Sequence, residues 1–184
     1  MKPILFNTEM IQAILAGNKT QTRRVVPNDV YLGFDHESTY MARYQPGDIL
    51  WVRETWAFVD GHDYQTRDFY LYKATDKEAA DNIGIDRWRP SIHMPREAAR
   101  ILLRVTNVKV ERVQDISEKG AQAEGVEKLP NGALCGTYRR GFEVLWDKLY
   151  GNLKGGIDSW DENPFVWVYE FERLSKDEAE KDVV

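Results

Sequence analysis

The spacing of apolar residues changes period several times along this chain. At the amino terminus KPILFN reads as a short strand, after which Met10, Ile11, Ile14 and Leu15 fall on one face of a helix. Thr8 can cap that helix and Gly17 stops it. GDILWVRETW returns to period two, with Ile49, Trp51 and Arg53 on one side and Leu50, Val52 and Glu54 on the other. ARILLRVTNVKVERV, free of proline and glycine, is the longest strand candidate, and its apolar content predicts a central place in a sheet. DISEKGAQAEGV has the Asp-x-x-Glu form of a capping box at Asp115 and Glu118 and predicts a short helix halted at Gly125. Phe142, Leu145, Trp146 and Leu149 then repeat at helical spacing as far as Gly151. In NPFVWVYEFE, Phe165, Trp167, Tyr169 and Phe171 alternate with Val166, Val168, Glu170 and Glu172, the pattern of a half-buried strand.

The mixed order of these elements, without a βαβ repeat, predicts an α+β domain around a small barrel or strongly curved sheet. Residues 58–95 are aromatic, polar and interrupted by Gly61, Gly84, Pro90 and Pro95. They read as a long insertion with limited structure of its own. A chain of 184 residues suits one domain, here 1–174, and residues 175–184 read as an acidic, flexible, solvated tail.

Charge narrows the choice of partners. The net charge is −5, so any grip on nucleic acid must come from a local patch. One candidate is 84–112, where seven cations face three acids. Cys135 is the sole cysteine, which excludes an internal disulfide and a multi-cysteine zinc site and fits a reducing cytoplasm. His36, His62 and His93 are scattered without the spacing of a metal pair, so no metal and no cofactor is expected. MKPILFNTEM lacks the apolar core of a signal peptide, and no run approaches the roughly 18 apolar residues of a membrane helix. A cytoplasmic protein without a membrane partner is the expectation, and the sequence names no protein partner.

The densest polar chemistry lies in ILAGNKTQTRRVV, where a lysine, two threonines and two arginines follow a helix stop. On a regular strand Lys19 and Thr22 point to opposite faces; on one turn of helix-like path they share a face. Only the second geometry brings the lysine directly to the threonine hydroxyl, which needs a base or charge partner to act as a nucleophile. The same residues also suit a purely structural role, because cations beyond a helix C-terminus oppose its dipole and threonines begin strands well.

GNKTQTRR resembles the Gly-x-Lys-x-x-Thr-x-Arg signature of ASCH domains, which are similar in fold to PUA domains that bind RNA. PGDILWVRE resembles the Gly-Asp strand of that family, and DISEKGAQAEGV its acidic helix. The resemblance implies a PUA-like small β-barrel with flanking helices. Among ASCH proteins the nearest functional pattern is that of small bacterial amidohydrolases that deacetylate N4-acetylcytidine. Their catalytic Lys, Thr and Glu carry over onto Lys19, Thr22 and Glu124, and Arg24 matches the arginine that follows the threonine. VRETWAF and WRPSIHMPREAARILL instead resemble a larger, often phage-associated subgroup, and residues 58–95 have no counterpart in the short enzymes.

On this resemblance Thr22 attacks an acyl carbonyl, Lys19 activates it or holds the oxyanion, and Glu124 relays a proton to the leaving amine. Arg23 and Arg24 stand beside this set, and the insertion is expected to cap the cleft so that Trp56 or Trp88 stacks on a base. Arg53, Arg89 or Arg96 would meet ribose or phosphate, with Glu54 paired nearby and His93 a candidate acid-base group. Two rivals remain open, a metal-independent ribonuclease using Lys19 or His93 and a non-enzymatic module that binds RNA or a modified nucleotide. All three take a nucleoside or RNA as partner.

Overall fold

A computed structural model describes residues 1–27, 39–61, 67–130, 136–151, 156–175 and 178. Cys135, His36 and His62 lie outside the described residues, as does the acidic tail apart from Ser175 and Glu178. Strand β1 (Lys2–Leu5) leads into helix α1 (Thr8–Leu15). Asn7 rather than Thr8 caps this helix, its Oδ1 accepting from the Met10 N–H at 2.8 Å. β2 (Gln21–Val25), β3 (Ile49–Arg53), β4 (Trp56–Val59) and β5 (Phe69–Tyr72) follow, then α2 (Lys77–Asn82) and the long β6 (Leu102–Arg112). The remaining elements are α3 (Glu118–Ala123), β7 (Leu129–Pro130), β8 (Gly136–Thr137), α4 (Tyr138–Tyr150) and β9 (Phe165–Arg173).

The main sheet has five strands in the order β1-β3-β6-β9-β2, so β6 takes the central place its composition predicts. The class is mixed α+β. Among the described residues β1 and β2 are its edges, and no pairing between them closes the sheet into the barrel that the family resemblance implies. Among the described residues no helix is long and apolar enough to cross a membrane.

The chain divides into two compact units. The first comprises Met1–Leu15, Ile49–Leu103 and Arg173–Val184. In it β1 runs parallel to β3, with Ile4 opposite Val52. Residues 58–95, expected to have limited structure of their own, hold the end of β4, its antiparallel partner β5, helix α2 and the 3-10 turn Ser91–His93, and a second such turn, Arg96–Ala98, follows them. This segment holds together because β4 is apolar on both sides. Trp56 packs with Met94, Ala98, Phe58 and Tyr70, whereas Ala57 packs with Leu71, Ala80 and Trp88.

The second unit comprises Ala16–Asp48 and Arg104–Glu172. Its core gathers Val113, Ile116, Phe142, Trp146, Trp160, Val166 and Val168. The Trp146 indole N–H is satisfied by the Asp158 carbonyl at 2.8 Å. Trp167 on β9 is also buried, while Trp51 in the first unit is only half-buried. β9 itself departs from the half-buried expectation. Val166, Trp167, Val168 and Tyr169 are all buried, because β9 lies between β6 and β2 with both faces covered.

The α3 cap also differs from the one predicted. Ser117, not Asp115, accepts from the Gly120 N–H at 3.0 Å. Glu118 turns its carboxylate to α4, where it accepts from the N–H groups of Tyr138 and Arg139 at 2.9 and 3.2 Å. There it neutralises free donors at the positive end of that helix, beside the Thr137 cap. Gly141 of α4 is pressed on the backbone of Glu127, so closely that a Cβ would collide with its carbonyl oxygen.

Candidate functional site

Gly17 turns the chain with φ +76°, and the path beyond it is extended. Lys19 forms an antiparallel bridge with Glu124, the Thr20 N–H donates to Ala123 O at 2.8 Å, and Thr20 O accepts from the Phe171 N–H at 2.9 Å. β2 then pairs antiparallel with β9, with Thr22 opposite Tyr169 and Arg24 opposite Trp167. The strand-like alternative of the two paths considered for this segment is therefore the one observed.

Lys19 and Arg23 converge on one carboxylate contributed by the C-terminal end of α3. Lys19 Nζ lies 2.7 Å from Glu124 Oε2, and Arg23 Nη1 lies 3.0 Å from Glu124 Oε1. The ammonium also donates to the carbonyls of Gln21 and Glu124, each at 2.9 Å. Arg23 reaches Glu111 on β6 through Nη2 and Nε at 2.7 and 2.9 Å, and Lys109 pairs with the other Glu111 oxygen at 3.0 Å. Exposure is 2% for Lys19, 0% for Thr22 and 3% for Glu124. Desolvating such charges costs several kcal/mol per ion, so full pairing is a requirement for burial here.

Period-two geometry sends Thr22 and Arg24 to the strand face opposite Arg23. Arg24 Nη1 donates to Thr22 Oγ1 at 2.9 Å, placing a fixed positive charge on the hydroxyl. Burial pulls the Lys19 ammonium below the ordinary lysine value; Glu124 opposes that shift by attraction and hydrogen bonding, while Arg24 and then Arg23 reinforce it. A lysine so placed can accept a proton at lower pH than a solvated one. Glu111 and Lys109 were not singled out from the sequence. Their signal was the alternation of charge within β6, which puts both on one side of that strand.

Tyr169 completes the Thr22 side. Its ring meets Tyr44 edge to face at 5.0 Å. The phenol is pushed up to about 12, chiefly by burial, against the hydrogen-bonding backbone of Tyr44 and Arg43 and the charge of Arg24. Tyrosine in an unfolded chain titrates near 10, so the neutral buried phenol contributes stability that is intact below about pH 10. That contribution, up to about 2–3 kcal/mol, is lost as pH rises from about 10 through 12. Tyr44 is raised by burial too and acts in the same direction. Lys19 acts oppositely, gaining stability with pH, but its contribution is complete above about 10.4. Urea midpoints are expected to fall across that alkaline window, and Tyr169→Phe to flatten part of the fall.

The remaining predicted residues lie in the first unit. Glu54 is buried and held by Arg100, whose Nε and Nη2 each lie 2.9 Å from one of its oxygens. Arg100 also covers the Tyr72 ring at 4.0 Å and donates to Thr75 Oγ1 at 2.9 Å, which makes this pair a structural clamp. Arg53 donates to the Ile92 carbonyl and lies over the Trp51 ring at 5.4 Å. Trp56 is buried, with Tyr70 edge-on at 5.6 Å and the Arg89 guanidinium 5.0 Å from its ring centre. Its ring is packing rather than a platform for a base. Arg96 is exposed and contacts Met1 Sδ at 3.2 Å. Trp88, Arg89 and His93 line one cavity together with Arg87, a residue the sequence reading counted only as charge. Among the described residues no group of three His, Cys, Asp or Glu side chains is arranged to hold a metal.

No family model matches the chain, and no curated protein matches it. Among solved structures it is similar to the crystal structure of a protein from Enterococcus faecalis described by the family model DUF984. The identity is 15% over 89% of this chain, with a TM-score of 0.44. This chain spans 65% of the length of that structure.

Proposed function

We propose that this protein is an ASCH-type, PUA-like nucleoside- or RNA-acting hydrolase that removes an acyl group from a modified base such as N4-acetylcytidine. The observation that carries the reading is the buried Lys19–Glu124 pair at 2.7 Å, joined to the Gln21 carbonyl that directly precedes Thr22. A desolvated lysine of lowered proton affinity is a base suited to an alcohol nucleophile. The Arg24 charge on the Thr22 hydroxyl favours its alkoxide character.

The extended path holds Lys19 and Thr22 on opposite strand faces, so in this mechanism a water that enters with the substrate carries the Thr22 proton to neutral Lys19 as Oγ1 bonds to the acetyl carbon. The C–N bond then breaks, and the proton passes by way of Glu124 to the exocyclic amine as cytidine leaves. Water next attacks the acyl-threonine ester, its proton returns to Thr22 Oγ1, and acetate departs. One water is consumed, and one amide becomes one amine and one acid. Because Thr22 and Lys19 are closed from solvent, substrate entry requires the chain above them to move.

The test is mass spectrometry of the purified protein with N4-acetylcytidine and a short RNA, beside Thr22→Ala. Deacetylation is expected in the intact protein, and Thr22→Ala should lower its rate on the order of a thousandfold or more. Deacetylation at the same rate in both proteins, or none in either, would overturn the proposal. Shortened RNA would move the reading to a nuclease.

A further inference from the structure

The first compact unit holds a cavity of about 660 Å³, within the range of about 300–1,000 Å³ typical of small-ligand sites. Its walls combine two chemistries. Phe58 and Trp88 give aromatic surface, and Arg87, Arg89 and His93 give cationic or proton-donating groups. No carboxylate is among its lining residues, although the chain as a whole carries a net charge of −5. Arg87 and the His93 ring make no ion pair or hydrogen bond among the described residues. Cations gathered without counter-charge in an acidic protein leave an attractive potential for an anion.

Rigid backbone presents these groups. Trp56 and Arg89 form an isolated antiparallel bridge, with Arg89 N–H donating to Trp56 O at 2.7 Å and Trp56 N–H to Arg89 O at 3.2 Å. This pins the segment around Trp88 against the start of β4. Pro90 then begins the 3-10 turn in which the His93 N–H donates to Pro90 O at 3.1 Å, returning His93 to the same wall. Trp88 is itself steadied by packing against Ala57, Leu71 and Ala80.

We infer that this cavity binds a nucleotide, with the base against Phe58 and Trp88 and the phosphate at Arg87, Arg89 and His93. A planar base matches aromatic walls, and arginine matches phosphate oxygens through paired N–H groups. A free mononucleotide and the 5′-phosphorylated end of a single strand share this chemistry. The inference stands apart from the hydrolytic reading, whose Lys19, Thr22 and Glu124 belong to the other compact unit.

Isothermal titration of the full chain with AMP, adenosine and inorganic phosphate tests it. Saturable AMP binding is expected, with adenosine and phosphate each weaker and affinity falling as salt is raised. Arg87→Gln and Trp88→Ala should each weaken AMP by about tenfold. Arg87 is exposed and without an ion partner among the described residues, so its replacement leaves the fold intact as judged by circular dichroism. Thr22→Ala should leave AMP affinity unchanged, which separates this site from the hydrolytic one. Absence of saturable binding at millimolar AMP, or binding indifferent to both cavity substitutions, would overturn the inference, as would loss of binding in Thr22→Ala with a native spectrum. Tighter binding of a 5′-phosphorylated oligonucleotide than of AMP identifies a strand end as the source; equal binding identifies the free nucleotide.

Discussion

Glu124→Ala is expected to lower the unfolding free energy by about 3–5 kcal/mol, the range for removing one partner from a buried ion pair. The carboxylate holds Lys19 and Arg23 together, and both cations are buried. Once it is gone they respond differently. Lys19 can shed its proton, already made easier by burial, whereas arginine stays charged and, among the described residues, keeps Glu111 as its carboxylate partner. Glu124→Gln retains an acceptor and should cost less. The double variant Lys19→Met with Glu124→Leu should lose less than the sum of its single changes, because no unpaired charge remains at that end. Urea midpoints of the unsubstituted protein, Lys19→Met, Glu124→Leu and the double variant decide it. Additive losses would show that the pair is not coupled.

Gly141→Ala is expected to destabilise the protein by about 1–3 kcal/mol, the usual cost of overpacking. Helix propensity alone favours the change by about 1 kcal/mol, so the sign is a contest between backbone entropy and space. Space wins here, because the obstacle is the Glu127 carbonyl, not the movable end of a side chain. A fall of several degrees in Tm is the readout for a chain of this length. Val144→Ala, on an exposed position of the same helix, should shift stability by no more than about 0.5 kcal/mol. An unchanged or raised Tm in Gly141→Ala would mean that the 127 region yields easily.

Where a sequence pattern had one physical cause, it read through to the structure. Gly17 takes the left-handed turn, β6 is central, and α4 ends at the glycine that closes its apolar repeat. Of Lys19, Thr22 and Glu124, singled out together, Lys19 and Glu124 meet, while Thr22 faces the other side of the strand and is bonded by Arg24. What was not legible depended on residues distant in the chain. Glu118 was read as a local cap, yet donors 20 and 21 residues away compete for it and win. β9 showed alternation only through its terminal glutamates, so covering of both faces left no periodic mark. Arg23 was read as a cation on the substrate side of the triad, yet Glu111, 88 residues away, and Glu124 hold it buried in ion pairs. In 58–95, prolines and glycines suggested irregular chain, while the alternation that builds β4 and β5 spans only four residues in each strand.

The separation of Glu124 from its two partners, 105 residues for Lys19 and 101 for Arg23, has a kinetic consequence during synthesis. Lys19 and the Arg23 of β2 leave the ribosome long before their counter-charge has been made. At about 5–20 residues per second, that interval is roughly 5–20 s. For all of it Lys19 and Arg23 must remain hydrated, so β2 cannot settle into its buried place while the chain is growing, and closure of a loop this long is left to the last stages of folding.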